Sequence, residues 1–189
     1  MALTTNDLKN GMTLNLPEGL YQVVEFQHVK PGKGGAFVRT KLKHMRLGKV
    51  IDNTFRSGEK VELVEYEDKH MQYLYKDDRY HFMDTETYEQ LSLSADEVGE
   101  ARDYLKENIE VDVLYIDGSP TAVEVPNFVE LAVARTDPGV RGDTAQGGTK
   151  PATLETGVVV QVPLFLNEGD VVKVDTRTGE YLGRVAVAG

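Results

Sequence analysis

The chain has 189 residues, no cysteine, four histidines and a formal net charge of −10, with 40% hydrophobic residues, a composition that excludes a disordered or membrane-embedded chain. Without cysteine there are no disulfides, thiol nucleophiles, iron–sulfur clusters or cysteine-held zinc. The opening residues, MALTTNDLKNGM, lack a basic segment followed by an apolar core, so the expectation is a soluble cytoplasmic chain with no secretory signal and no membrane partner.

Hydrophobic residues recur mostly at period two, in short runs broken by Gly, Pro, Asn and Asp, which predicts an all-β chain of small modules. In the first cluster, LYQVVEFQHV (20–29) and AFVRTKLKH (36–44) form two strands joined by KPGKGG, a glycine-rich hairpin loop. Along the second strand Val38, Thr40 and Leu42 alternate with Arg39, Lys41 and Lys43, which puts three cations on one face.

A second cluster begins near VELVEY (61–66) and continues through HMQYLYK (70–76), RYHFMD (79–84), YEQLSL (88–93), IEVDVLYID (109–117) and TAVEVP (121–126). Between the fourth and fifth runs, Ser94 and Glu97 make a capping box ahead of a helix with Val98, Ala101 and Leu105 on one face. Strands, one helix and more strands suggest a five-stranded OB-type barrel. The third cluster, FVELAVA (128–134), VVVQV (158–162), VVKVD (171–175) and YLGRVAV (181–187), reads as another small barrel. Its first two strands are separated by TDPGVRGDTAQGGTKPATLETG, longer than an ordinary connection and therefore disordered or functional.

Charge is unevenly distributed. Residues 1–63 carry +4, 64–127 carry −12 and 128–189 carry −2, together the −10 of the chain. Between Glu25 and Asp52 no acidic residue occurs, whereas Lys30, Lys33, Arg39, Lys41, Lys43, Arg46 and Lys49 all do. A locally basic hairpin in an acidic protein points to RNA phosphate, with Lys30, Arg39, Lys41, Lys43 and Arg46 as the contacting cations.

Other motifs fail on chemistry. The run Pro31-Gly32-Lys33-Gly34-Gly35 lacks the Ser or Thr that must follow Gly-Lys in a phosphate-binding loop, and a strand follows instead of a helix. Gly32 and Gly34 begin a G-x-G-x-x-G, but Phe37 stands in place of its third glycine. What remains is Lys33 on a hairpin tip, uncrowded by its neighbours and able to reach into a narrow RNA-lined space. His28, His44, His70 and His81 show no metal-ligand spacing, and no nucleophile–base pair stands out, so neither metal, cofactor nor catalytic residue is expected.

The tip Pro31-Gly32-Lys33-Gly34-Gly35-Ala36-Phe37, the element Gly142-Asp143-Thr144 and the C-terminal series Lys150-Pro151-Ala152 … Gly157 … Val162-Pro163 … Gly169 together resemble the bacterial elongation factor P family over essentially the whole chain. The resemblance implies an SH3-like barrel (1–63) followed by two OB-type barrels (64–127 and 128–189), in a tRNA-like outline. It implies a monomeric, non-enzymatic translation factor that binds both ribosomal subunits between the peptidyl and exit sites and relieves polyproline stalls. Lys33 would lie near the CCA end of peptidyl-tRNA, and Gly142, Asp143 and Thr144 near the exit-site codon of the mRNA. Family members often carry a modification on the tip residue, so Lys33 is a modification site in this reading and its modifying enzyme a partner. A generic single-stranded RNA- or DNA-binding OB protein is the alternative; the −12 and −2 of the OB-type segments disfavour it.

Overall fold

The computed structural model describes residues 1–139 and 147–189, and they build three antiparallel sheets with little helix. The chain divides into two compact units, Met1–Glu67 with Tyr115–Ser119, and Asp68–Leu114 with Pro120–Gly189. The all-β expectation holds. Among the described residues no helix is long and apolar enough to cross a membrane.

The first sheet has six strands: β1 (Ala2–Thr4), β2 (Thr13–Leu16), β3 (Gly19–Val29), β4 (Phe37–His44), β5 (Val50–Arg56) and β6 (Lys60–Val64), in the order β1-β6-β2-β3-β4-β5. Leu14, Tyr21, Val23, Val38, Leu42, Phe55 and Val61 point inward and form its core, as period-two alternation requires. Three of these strands escape the sequence pattern. β1 and β2 are too short to show a period, and Asp52-Asn53-Thr54 makes β5 polar on both faces. The VELVEY run is also corrected. Its first part belongs to β6, which pairs with β1 and β2 through Leu3↔Val61 and Leu14↔Leu63, because Val61 completes the first core.

The next five strands are β7 (Tyr66–Lys76), β8 (Tyr80–Asp84), β9 (Gln90–Leu93), β10 (Glu110–Ile116) and β11 (Ser119–Glu124), in the order β11-β10-β7-β8-β9. The last five are β12 (Phe128–Thr136), β13 (Thr149–Leu154), β14 (Val159–Pro163), β15 (Val171–Asp175) and β16 (Glu180–Ala186), in the order β14-β13-β12-β15-β16. Counted from its own first strand, each sheet reads 3-2-1-4-5, the connectivity of a five-stranded Greek-key barrel of the OB type. In the last sheet the outer strands β14 and β16 approach each other, so the sheet curls towards closure.

The predicted helix is real but short. Ser94 caps it with both capping-box hydrogen bonds, yet α1 covers only Ala95–Val98, because Gly99 takes φ +67° and ends it. The chain continues as a 3₁₀ helix over Gly99–Tyr104, and the buried Val98, Ala101 and Tyr104 recur every third residue, the period of that helix.

β13 was expected as part of a long loop. A proline is unusual inside a strand, but pairing with β12 stops at Thr136↔Ala152, so the missing N–H of Pro151 interrupts no ladder on that side. The Pro151 carbonyl accepts from the Thr136 hydroxyl at 3.0 Å. Inward alternation at Lys150, Ala152 and Leu154 places a lysine in the core, with its side chain buried. The Lys150 ammonium donates to the Leu166 carbonyl at 2.6 Å and to the Asp137 carbonyl. Lys150→Met keeps the aliphatic stem but leaves those carbonyls without this donor, so urea unfolding should show a loss of about 1–3 kcal/mol. A loss under about 0.5 kcal/mol, the scale of a surface change, would mean that water replaces the ammonium without cost.

Candidate nucleic-acid interface

β3 and β4 pair from Tyr21↔His44 to Val29↔Phe37, leaving residues 30–36 as the connecting loop. Lys30, Pro31, Gly32, Lys33, Gly34 and Gly35 are all exposed there. The three glycines differ in what they are for. Gly34 sits at φ +106°, which strains an L side chain, whereas Gly32 and Gly35 need no such angle, and a Cβ at any of the three would meet nothing within 4 Å. The chain's own packing therefore makes no demand for glycine at 32 and 35; bareness there matters only to something approaching from outside.

Arg39, Lys41 and Lys43 are exposed on the outer face of β4, with Val38, Thr40 and Leu42 buried between them. Register assigns each a neighbour on both sides: Gln27 and Thr54 beside Arg39, Glu25 and Asp52 beside Lys41, Gln22 and Val50 beside Lys43. The cations are thus less isolated than their spacing along the chain implies. The Lys41 ammonium lies 3.8 Å from the Glu25 carboxylate. The Arg39 guanidinium lies 5.4 Å from the centre of the Phe37 ring, a cation–π distance. Sequence reasoning passed over Gln27, Asp52 and Thr54; the signal for the last two was a second hairpin, closed by Leu47-Gly48.

Arg46 is in that turn. His44 holds it: its Nδ1 accepts from the backbone N–H of Arg46 at 3.2 Å and of Leu47 at 3.0 Å. With Lys30 and Lys33 at one end of β4 and Arg46 at the other, the cations extend along the eight residues of the strand, about 27 Å at roughly 3.4 Å per residue. Gly142, Asp143 and Thr144 lie outside the described residues.

The other histidines have local partners. His28 packs edge-on against Phe26 at 5.7 Å. His70 is held between Asp112 at 3.0 Å and Glu110 at 3.2 Å, and these hydrogen bonds, Asp112 first, raise its pKa above the ordinary value. His81 contacts Asp77 at 2.8 Å, and Asp77 is lowered to about 2, first by the Arg79 backbone N–H and then by His81.

Three family models match the chain in succession: the elongation factor P KOW-like domain over residues 4–61, the elongation factor P OB domain over 66–123 and the elongation factor P C-terminal domain over 129–184. The elongation factor P of Acidothermus cellulolyticus is 60% identical over 182 residues, 96% of this chain and 97% of that protein. That of Natranaerobius thermophilus is 56% identical over 184 residues, 97% of this chain and 98% of that protein. Among solved structures, a translation initiation factor 5A from Methanococcus jannaschii overlaps 67% of this chain and 92% of its own at 23% identity, with a TM-score of 0.41. KOW-like and OB modules in the expected order, and full-length identity above half, agree with the all-β sheets. This chain belongs to the elongation factor P family of translation factors.

Proposed function

We propose that this translation elongation factor binds the ribosome between the peptidyl and exit sites, touching both subunits, and speeds peptide-bond formation where consecutive prolines stall it. The observation that carries the reading is Lys33, exposed at the end of a hairpin whose outer face carries cations along its length. A compact ammonium on a bare tip can enter the space around the CCA end of peptidyl-tRNA, with Gly32 and Gly35 leaving room for close backbone approach. Lys30, Arg39, Lys43 and Arg46, with Lys41 as a weaker contributor, would grip phosphate along the way. Gly142, Asp143 and Thr144 would face the exit-site codon, and a cytoplasmic enzyme would modify Lys33 where the cell requires it. The three modules are read as 1–63, 64–127 and 128–189; the −12 of the second keeps it off phosphate.

The factor would contribute orientation rather than acid–base chemistry. Proline's ring restricts its backbone, so holding the tRNA end in a reactive geometry lowers the barrier without any group on the protein moving a proton.

Lys33→Ala should leave the unfolding midpoint within about 0.5 kcal/mol of wild type, as an exposed loop change does, while stimulation of Pro-Pro-Pro synthesis in a reconstituted translation assay is lost. Full stimulation by the folded variant would rule out Lys33 as the acting group.

The strip should respond unevenly. Arg39→Ala and Lys43→Ala should each flatten the logarithmic salt dependence of ribosome binding by roughly 0.7–0.9, and Lys41→Ala by clearly less, because Glu25 already offsets its charge. Equal flattening by all three would mean that Glu25 leaves Lys41 free for phosphate.

A further inference from the structure

We propose that the middle of the β3–β4–β5 face binds an unpaired RNA nucleotide by its base and ribose edges, with phosphates gripped on either side of it along the hairpin. The proposal rests on the ribosome-binding reading and names the ligand chemistry of one part of that surface.

A hollow of about 450 Å³ lies over the middle of the three strands, lined in part by Glu25, Gln27, Arg39, Lys41, Asp52 and Thr54. That volume falls within the roughly 300–1,000 Å³ of small-ligand sites. Its side chains come in two rows set by register, Gln27–Arg39–Thr54 and Glu25–Lys41–Asp52. The second row holds two carboxylates against one ammonium. A phosphate, which offers only acceptor oxygens and negative charge, is repelled there. Base amino and imino groups and the ribose 2′-hydroxyl offer donors, which carboxylates accept.

The first row suits the same ligand. Gln27 and Thr54 can each donate and accept, and Arg39 between them, which donates only, holds the phosphate at the tip-side margin of the hollow. The Phe37 ring beside the Arg39 guanidinium restricts its swing. A base can enter a hollow only when it is out of a duplex: a paired and stacked base has its Watson–Crick edge occupied and shows side chains no more than its minor-groove edge on a shallow surface. The cations without a carboxylate beside them, Arg39 with Lys30 and Lys33 towards the tip and Lys43 with Arg46 towards the turn, flank the Glu25–Lys41–Asp52 row along the hairpin, where the preceding and following phosphates would lie.

Removing negative charge separates the two ligand chemistries by sign. Dissociation constants for ribosomes carrying peptidyl-tRNA are measured over a series of salt concentrations, with melting curves as the folding control. Glu25→Gln combined with Asp52→Asn should weaken binding roughly fivefold or more, the scale of lost charge-assisted hydrogen bonds, although the protein has become more positive. Unchanged or tighter binding overturns the proposal. Gln27→Ala combined with Thr54→Val should weaken binding with an unchanged salt slope, since no ionic contact is lost; unchanged affinity, or a flattened slope, also overturns it. If wild type itself shows no salt-dependent ribosome binding, the underlying reading falls together with the proposal, an outcome distinct from a wild type that binds and variants that do not respond.

Discussion

Antiparallel pairing of β3 with β4 determines which side chains reach the outer face, and it contains one irregularity on which the face depends. The register shifts between Val23 and Glu25, so Val24 is an extra residue on β3. Before the bulge, Tyr21 and Val23 point into the core; after it, the odd positions point out, and Glu25 and Gln27 stand beside Lys41 and Arg39. In an unbroken strand Glu25 and Gln27 would be driven into the core with Val23, which their polar groups forbid without partners. The bulge resolves that conflict and also places a carboxylate among the cations.

Net charge by segment and charge in space therefore say different things about this hairpin. Counting along the chain finds an acid-free interval from Glu25 to Asp52; folding brings those two end residues to either side of Lys41. The strip is cationic at its ends and mixed in its middle. An exposed Lys–Glu pair contributes little to stability, so Glu25 matters less for holding the fold than for the potential an approaching polyanion meets.

What was legible in the sequence follows from how local each signal is. The outward cations of β4 were readable because alternation within eight residues is a local pattern, and the tip because Pro-Gly-Lys-Gly-Gly interrupts it. The partners across from those cations were not, since register is set by the bulge at Val24 and by the length of the β4–β5 turn, neither of which has a signature in adjacent residues. The Ser94–Glu97 capping box was read correctly as a helix start, with the Glu97 N–H on the Ser94 hydroxyl at 3.2 Å and the reverse bond at 3.1 Å. Its length was misjudged, because a single Gly99 at positive φ outweighed the apolar spacing that followed. β13 reads as part of the long polar loop because Thr149, Lys150 and Pro151 show no apolar alternation in the sequence; their place in a strand depends on where β12 pairing ends and on carbonyl partners for Lys150, neither of which is local.

The identical strand order of the two five-stranded sheets creates a hazard during folding. Two tandem segments that build the same Greek key offer each strand a rival partner at the equivalent place in the other sheet, the setting in which swapped or interleaved misassembly arises. Their cores differ in part: the strands of the first bury Met71, Tyr73, Tyr80 and Phe82 beside aliphatic residues, and those of the second bury Val, Leu and Ala. The connectors differ more. Between third and fourth strands one sheet uses the capped α1 and its 3₁₀ continuation, and the other the loop 164–170, in which Asp170 accepts from the Asn167 N–H at 3.0 Å. An exchanged strand would arrive on a connector of the wrong length and carry side chains of the wrong size, so what joins the strands and what they bury oppose the same error.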